Sequence, residues 1–168
     1  MSQIPIVAFV GRSGSGKTTL LVAVIAELVG RGWRVGAIKH HGHARPLDLP
    51  GKDTARLADA GAARVVGASP LELASFERVA QEPAVEDLVR RFFADVDLVL
   101  AEGYRGSGLP KIEVCRAARS RELVCSDDDL IAVASDIHFD LPAAIPQFDL
   151  NDAAGLAAWI EARFLMRR

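Results

Sequence analysis

The segment from Gly11 to Thr18, GRSGSGKT, places glycines, a lysine and a hydroxyl residue in the order that binds phosphate, and it matches the P-loop pattern GxxxxGK[ST] in full. Gly11, Gly14 and Gly16 allow the backbone to bend so that successive N–H groups point at phosphate oxygens, next to the N-terminus of a helix. Lys17 is expected at the β- and γ-phosphates as a catalytic group, and the Thr18 hydroxyl in the coordination shell of Mg²⁺. The motif predicts a nucleotide site, with a plain glycine turn as the alternative.

A nucleotide bound through its phosphates also needs a carboxylate near its Mg²⁺, and two residues are candidates. In the run DLVLAEG, Glu102 lies at the carboxyl end of a predicted strand, directly before Gly103. Asp97 begins that run and is therefore at the wrong end of the strand. We predict that Glu102 binds the metal or orients the attacking water, the alternative being a solvated loop carboxylate. Asp48, in the loop after the second strand, is the other metal candidate. Asp53 precedes TARLADAGA and is predicted to cap a helix.

Three further polar residues are candidates for contacting the nucleotide. Thr19 follows the P-loop motif and is expected near the phosphates. Lys39 directly follows VGAI, where it either meets a phosphate at the ligand edge of the sheet or remains a solvated lysine. Asp136 follows IAVAS, where its carboxylate either accepts hydrogen bonds from guanine N1 and N2 or belongs to a turn. The chain has no NKxD box, so these residues alone do not establish a guanine preference.

Two loops that follow predicted strands combine residues of mixed chemistry. KHHGH contains His40, His41 and His43, which either bind a transition metal or serve as polar loop residues near a phosphate or a partner. YRGSGLPKIEV carries an aromatic residue, Arg105, two glycines and Lys111, and either contacts a second ligand or a partner or is an ordinary surface loop. Because ligands of open parallel sheets bind beyond the carboxyl ends of the strands, we expect both loops to face the same crevice as the P-loop.

The elements that must position these residues alternate between short apolar runs and helical patterns. This alternation predicts an α/β fold with a mostly parallel central sheet flanked by helices. The predicted strands are Ile4–Val10, Val35–Ile38, Val65–Ala68, Leu98–Ala101, Lys111–Cys115 and Ile131–Ala134. The predicted helices are Thr18–Val29, Asp53–Ala60, Pro83–Phe93 and a terminal helix that Asn151 or Asp152 caps. The chain therefore begins with a strand, a glycine loop and a helix, as the P-loop pattern requires.

Length and composition favour one domain over residues 1–168, since 168 residues can bury a core without disulfides or metals. The net charge of −2, with acidic and basic residues interspersed, gives no reason to expect nucleic-acid binding. The apolar run near the N-terminus is too short for a membrane span or a signal peptide, so a cytoplasmic protein is expected. Cys115 and Cys125 match no metal or redox spacing and are expected to be reduced thiols.

Several segments together resemble the MobB family of molybdopterin-guanine dinucleotide biosynthesis adaptor proteins. They follow in order along essentially the whole chain: GRSGSGKTTL, VGAIKHHGH, DLPGKDTARLADAGA, DLVLAEGYR, PKIEV and AVASD. The resemblance implies a P-loop NTPase fold that binds GTP and Mg²⁺, hydrolyses GTP slowly, forms a homodimer and assists a MobA-type nucleotidyltransferase and other molybdenum cofactor proteins. One departure from the family pattern is EGYR, where EGF followed by lysine is usual.

The resemblance also implies roles for individual residues. Asp48, Asp53 and Glu102 fall in the switch-like and metal-facing segments of family members. The residues that match the phosphate-binding segment are Gly11, Gly14, Ser15, Gly16, Lys17, Thr18 and Thr19. Family members are also similar to the metallochaperone GTPases of urease and hydrogenase maturation.

Three functions compete. An adaptor GTPase should hydrolyse GTP slowly alone and faster with a partner, because no arginine finger is evident in the expected place. A small-molecule kinase needs an acceptor pocket and a lid that carries several cations, whereas the sequence offers only scattered Arg and Lys in short loops. A nickel or molybdenum chaperone would use the three histidines of KHHGH. We prefer the adaptor GTPase because the family resemblance extends along the whole chain.

Overall fold

The structure, a computed structural model, describes residues 4–42, 52–125 and 128–165. The chain divides into two compact units, Met1–Gly42 with Val89–Arg168 and His43–Leu88. One P-loop domain over residues 1–168 stays a prediction. No helix among the described residues is long and apolar enough to cross a membrane. The elements are β1 (Ile6–Val10), α1 (Lys17–Gly30), β2 (Val35–Lys39), α2 (Lys52–Asp59), β3 (Arg64–Ala68), β4 (Leu73–Glu77), α3 (Val85–Phe92), β5 (Leu98–Glu102), β6 (Lys111–Cys115), β7 (Leu130–Ser135), β8 (Gln147–Phe148) and α4 (Ala153–Phe164).

The larger unit is built on a six-stranded sheet in the order β2-β5-β1-β6-β7-β8, in which every pair is parallel. All five residues of β1 are buried, as an apolar strand in the middle of a parallel sheet requires. Glu102 of β5 pairs with Phe9 of β1 on one side and with Lys39 of β2 on the other. This register brings the carboxyl ends of three strands to one edge of the sheet. The predicted α/β fold with a mostly parallel sheet is confirmed.

Helices α1 and α4 pack in the same hydrophobic core, against the sheet. The predicted cap of α4 is confirmed for Asp152, whose side chain accepts a hydrogen bond from Gly155 N at 2.9 Å. Glu161 of α4 accepts hydrogen bonds from Arg31 Nη1 at 3.0 Å and Trp33 Nε1 at 2.8 Å, which tie α4 to the chain leaving α1. The buried side chains of the two helices are Leu20, Leu21, Val24, Leu28, Leu156, Ala157 and Ile160.

The smaller unit contains an antiparallel hairpin of β3 and β4. The prediction that Val65–Ala68 is a buried strand of the parallel sheet is wrong, because these residues lie in β3, which pairs antiparallel with β4 and has three of its five residues exposed. Strand β4 was not predicted. Ser69 N donates to Glu72 O at 2.9 Å and closes the turn between the strands. So short a connection permits only an antiparallel return, since a parallel neighbour needs a crossover of a dozen or more residues.

Helix α2 also corrects a prediction. It begins at Lys52, so Asp53 lies in its first turn and does not cap it. The Asp53 carboxylate is exposed and lies 3.6 Å from Arg56 Nη1, one turn further along the helix. A negative charge in the first turn interacts favourably with the helix dipole, which accounts for Asp53 without any ligand.

Candidate functional site

The glycine loop between β1 and α1 has the backbone bends that the motif predicts. Gly11, Gly14 and Gly16 have φ values of +139°, +75° and +97°, where other residues are strained. At Gly11 there is also no room, because a Cβ would lie 2.2 Å from the backbone oxygen of Val114 in β6. The neighbouring strand therefore requires glycine at the first position of the loop, and the left-handed backbone requires it at the other two.

The N-terminus of α1 leaves hydrogen-bond donors for an anion. Gly16 is the N-cap and supplies no side-chain hydrogen bond, and the first turn of the helix has no acidic residue. Ser15 is 1% exposed, and its Oγ has no hydrogen-bond partner among the described residues. Uncapped first-turn N–H groups and a buried, unpaired hydroxyl are groups that a bound phosphate satisfies. The residues present therefore fit the phosphates of a nucleotide. Thr19, in the same turn, is exposed.

Lys17 lies at the start of α1 and reaches back across the loop. Its Nζ donates to Gly11 O at 3.1 Å and to Arg12 O at 2.8 Å. Burial lowers the pKa of the Lys17 ammonium from its ordinary value, while Glu102 acts in the opposite direction and Lys39 adds to the lowering. Two neutral carbonyls are weaker acceptors for an ammonium group than phosphate oxygens. A phosphate in the loop would thus give Lys17 better partners than it has now.

Thr18, Lys39 and Glu102 meet at the edge of the sheet, and we call them the carboxylate cluster. Thr18 Oγ1 donates to Glu102 Oε2 at 2.7 Å, although the residues are 84 positions apart in sequence. Lys39 Nζ lies 3.5 Å from Glu102 Oε1, and the Glu102 side chain is only 12% exposed. The parallel pairing of β2, β5 and β1 brings these three predicted site residues together. The cluster joins the hydroxyl at the start of α1 to the carboxylate at the end of β5.

His40 packs beside this cluster. Its ring stacks on Tyr104, with centroids 4.5 Å apart and an interplanar angle of 26°, and its backbone N donates to Glu102 O at 2.9 Å. Within residues 4–42, 52–125 and 128–165, no group of three or more His, Cys, Asp or Glu could hold a metal. His43 and Asp48 lie outside the described residues. Metal binding by Asp48 stays a prediction, and for the histidines both alternatives, metal ligands or polar loop residues near a phosphate or a partner, stay open.

Two other residues of the sequence analysis have clear partners. Asp136, exposed just after β7, accepts a hydrogen bond from Ala117 N through Oδ1 at 2.7 Å. Lys111 is 2% exposed, and its Nζ lies 2.7 Å from Asp129 Oδ2. The same Nζ donates to the backbone oxygens of Ser107 and of Leu109, which fastens the loop after β5 to the segment before β7. Lys111 is therefore a buried structural cation and not a ligand contact.

A part of the site that the sequence analysis missed is the arginine loop, Arg116–Arg119, which follows β6. A Cβ on Gly14 would lie 2.8 Å from Arg119 Nε, and a Cβ on Gly16 would lie 3.1 Å from Arg116 Nη2. The two guanidinium groups thus pack directly against P-loop glycines, and Asp136 holds the segment between them through Ala117. The sequence feature that could have indicated this loop is RAARSR, directly after a predicted strand. Nothing in the sequence showed, however, that this strand lies next to β1.

The parallel sheet, the glycine loop after its buried β1 and the helix that begins with Lys17 and Thr18 define an α/β protein of the P-loop class. Within that class the match is to one family. Residues 6–136 match the family model described as MobB, molybdopterin guanine dinucleotide synthesis protein B, and the chain belongs to this family.

Relatives agree along almost the whole chain. The molybdopterin-guanine dinucleotide biosynthesis adapter protein of Escherichia coli (strain K12) is 40% identical over 168 residues, covering 95% of this chain and 93% of that protein. The protein of the same description from Haemophilus influenzae is 34% identical over 161 residues, covering 95% and 89%. A crystal structure of molybdopterin-guanine biosynthesis protein B (mobB) superposes with a TM-score of 0.71 at 28% identity, covering 94% and 98%. The family resemblance seen in the sequence is confirmed.

Proposed function

We propose that the protein binds GTP with Mg²⁺ in the P-loop, hydrolyses it slowly and assists a MobA-type nucleotidyltransferase in converting molybdopterin to its guanine dinucleotide form. The observation that carries this proposal is the Thr18–Glu102 hydrogen bond of 2.7 Å, beside a P-loop whose lysine donates to two backbone carbonyls of the loop itself. Family membership supports the pathway, and the description of the relatives as adapter proteins supports an assisting role.

The phosphates would lie against the backbone of Gly11–Gly16 and the first turn of α1. Ser15 Oγ would gain the partner that it lacks among the described residues, and Lys17 Nζ would move its hydrogen bonds from carbonyl oxygens to phosphate oxygens. Thr19, exposed in that first turn, adds a further hydroxyl near the phosphates. These groups bind and orient the phosphates without any change of fold, since the loop already has its left-handed glycines.

Mg²⁺ prefers hard oxygen ligands, and the Thr18 hydroxyl and the Glu102 carboxylate are the described residues that would hold it or its waters. Asp48 is proposed as a further oxygen ligand on the family resemblance alone. The ion, when bound, would neutralise charge on the phosphates. Lys39, 3.5 Å from Glu102, would orient that carboxylate or contact a phosphate directly.

Slow hydrolysis follows from what the Glu102 carboxylate already does. Each of its oxygens already has one partner, Thr18 on Oε2 and Lys39 on Oε1, so an attacking water would compete with these groups for the carboxylate. A partner that displaces Lys39 or supplies another cation would release this restraint. The expectation is therefore stimulation by the transferase.

The base would be read at the end of β7. Asp136 Oδ1 accepts from Ala117 N, which leaves Oδ2 as an acceptor for a guanine N–H. Because Ala117 lies between Arg116 and Arg119, we propose that Asp136 has two roles: it contacts guanine, and it positions the arginine loop against the P-loop glycines.

A homodimer and a cytoplasmic location complete the proposal. Val66, Leu71 and Leu73 of the β3–β4 hairpin are 57%, 94% and 79% exposed, and an apolar surface of this kind is typical of an interface between subunits. Leu71→Asp combined with Leu73→Asp should then give monomers in light scattering, whereas Val22→Asp, on exposed α1, should not. Dimers that persist in the hairpin variant would contradict this interface.

The free thiols of Cys115 and Cys125 fit a reducing compartment such as the cytoplasm.

The proposal as a whole is tested by nucleotide binding and turnover. Wild-type protein with Mg²⁺ should bind GTP more tightly than ATP, and Lys17→Ala should weaken GTP binding by ~1.5–3 kcal/mol, the range for hydrogen bonds to charged groups. Phosphate release from GTP should be slow and should accelerate when a MobA-type transferase is added. Equal affinity for ATP and GTP would contradict the guanine preference, and unchanged GTP binding by the Lys17 variant would contradict the phosphate site. The same rate of GTP hydrolysis with and without the transferase would contradict the assisting role.

A further inference from the structure

A cavity of about 290 Å³ opens next to the P-loop. Its walls come from three loops, each of which follows one strand of the sheet: the start of the P-loop after β1, the loop after β5 and the chain after β6. The lining residues are Gly11, Arg12, Arg105, Leu123, Val124 and Cys125. The cavity therefore shares Gly11 and Arg12 with the phosphate loop, while Gly14, Gly16 and the first turn of α1 are not among its lining residues.

The described lining residues bring only positive charge to this cavity. Arg12 and Arg105 are exposed, and in the described part of the chain neither guanidinium group has an ion pair or a hydrogen bond with another residue, although the backbone oxygen of Arg12 accepts from Lys17 Nζ. The nearby carboxylate, Glu113, is 1% exposed and is turned into the wall, where it accepts hydrogen bonds from Val124 N at 2.7 Å and Cys125 N at 2.9 Å. Glu113 thus fixes the shape of the wall and does not pair with either arginine.

The Cys125 thiol adds no negative charge. Burial, and after it the charge and hydrogen bond of Glu113, raise the pKa of Cys125 to about 12, so the group is neutral at physiological pH. Leu123 and Val124 contribute apolar surface to the same wall. Two planar cations and a small apolar wall suit a ligand that carries a charged phosphate on a compact organic group. The volume lies near the lower limit for small-molecule pockets, which excludes a whole nucleotide.

We propose that this cavity binds a small organic phosphate monoester, with its phosphate between Arg12 and Arg105 and its organic group against Leu123 and Val124. That this ligand lies beside a bound nucleotide rests on the proposed function. The cavity adjoins the start of the loop, so the two ligands would lie side by side and present their phosphates to one another. A protein that assists a transferase would by this means hold both phosphate-bearing reactants of a nucleotidyl transfer.

The test uses phenyl phosphate as the probe and benzyl alcohol as its uncharged counterpart, with binding to the full-length protein measured by calorimetry. Phenyl phosphate should bind and benzyl alcohol should not. Arg12→Ala and Arg105→Ala should each weaken phenyl phosphate binding roughly 10-fold or more, as expected for the loss of a charged hydrogen-bond donor. Arg121→Ala, an exposed arginine of the same chain segment, is the matched control and should bind like wild type.

Two further binding measurements test this cavity independently of the nucleotide site proposed above. Lys17→Ala should lose nucleotide affinity and keep phenyl phosphate binding, and saturating GTP should not displace the probe from wild-type protein. If nucleotide binding fails in wild type while the probe still binds, the proposed function is wrong and the cavity is supported. Displacement of the probe by GTP, equal losses in Arg121→Ala and Arg105→Ala, or no binding of the probe at all would overturn the cavity proposal.

Discussion

The P-loop is flanked on one side of β1 by the carboxylate cluster of Thr18, Lys39 and Glu102 and on the other by the arginine loop that follows β6. The carboxylate cluster is held by side chains that bond to one another, and Glu102 is largely buried. The arginine loop contacts the glycines through guanidinium groups, of which that of Arg119 is exposed. Its backbone is held by hydrogen bonds from Arg119 N and Ser120 N to Arg116 O and from Ala117 N to Asp136. The two sides therefore differ in how their charged groups are held: side chains fix the Glu102 carboxylate, whereas the Arg119 side chain is exposed.

The difference shows why motif analysis found one side and missed the other. Residues of the carboxylate cluster stand at strand ends or inside the P-loop pattern, where sequence position already limits their location. Arginines in a loop have no such marker, since long cationic side chains at surface positions are common. Under the proposed function, we therefore expect the carboxylate cluster to govern Mg²⁺ binding and GTP hydrolysis. We expect the arginine loop to govern nucleotide affinity.

The largest effect is expected on the carboxylate side. Glu102→Gln keeps the acceptor for Thr18 but removes the negative charge that would face Mg²⁺, so GTP hydrolysis should fall roughly 100-fold, as for other groups that orient a metal. GTP affinity without Mg²⁺ should stay near wild type. Steady-state phosphate release at several Mg²⁺ concentrations measures this, and an unchanged Mg²⁺ dependence would remove Glu102 from the metal site.

The next effect concerns Cys125, on the side of β6. With a pKa of about 12, a far smaller fraction of Cys125 is thiolate at pH 8 than with the ordinary pKa of 9.0. A thiolate of higher pKa is a stronger nucleophile, but this offsets only part of the loss in thiolate. Alkylation by iodoacetamide at pH 8 should be roughly 40-fold slower than for a thiol of ordinary pKa, and it should speed up in Glu113→Gln. Mass spectrometry follows the modification of Cys125. Fast alkylation of the wild-type thiol at pH 8 would mean that Glu113 and burial do not hold it neutral.

The same shift has a consequence for stability. Because the thiol binds its proton more tightly in the folded protein than in the unfolded one, its contribution to the free energy of unfolding is complete below about pH 9. That contribution should be lost as the pH rises from about 9 to about 12. Urea unfolding of wild type and Cys125→Ser across this range measures it, and equal pH dependence in both proteins would contradict the assignment.

The arginine loop should show a smaller effect, confined to affinity. Arg116→Ala and Arg119→Ala should each weaken GTP and ATP binding about 10-fold, since each removes one charged donor beside the phosphates. Arg121→Ala again serves as the exposed control. The single-turnover rate of bound GTP should change little, in contrast to Glu102→Gln. A large loss of that rate with unchanged affinity would reverse the roles assigned to the two sides.

The smallest effect separates the two roles of Asp136. Asp136→Asn keeps an oxygen for Ala117 N but replaces the second carboxylate oxygen, so the preference for GTP over ATP should fall about 5-fold while ATP affinity stays unchanged. Asp136→Ala should in addition weaken both nucleotides, because the arginine loop loses its anchor. If Asp136→Asn keeps the full preference for GTP, Asp136 serves only to position the arginine loop.

The sequence by itself determined the fold class and the phosphate loop. The apolar β1, the spacing of Gly11, Gly14 and Gly16, and the helical stripe of α1 are local patterns whose consequences do not depend on distant residues. The place of Glu102 at the end of a strand was predictable for the same reason. Its hydrogen bond with Thr18 followed once β5 was known to lie beside β1.

Only the tertiary structure decided which strands are neighbours, and with that the rest of the site. The order β2-β5-β1-β6 places the arginine loop against the P-loop glycines and turns Lys111 and Glu113 into buried structural groups. The structure also shows that Val65–Ala68 belongs to a separate antiparallel hairpin, because a short turn after that strand permits only an antiparallel return. Periodicity specifies that a strand is buried or exposed, whereas strand order is set by the packing of segments far apart in the chain.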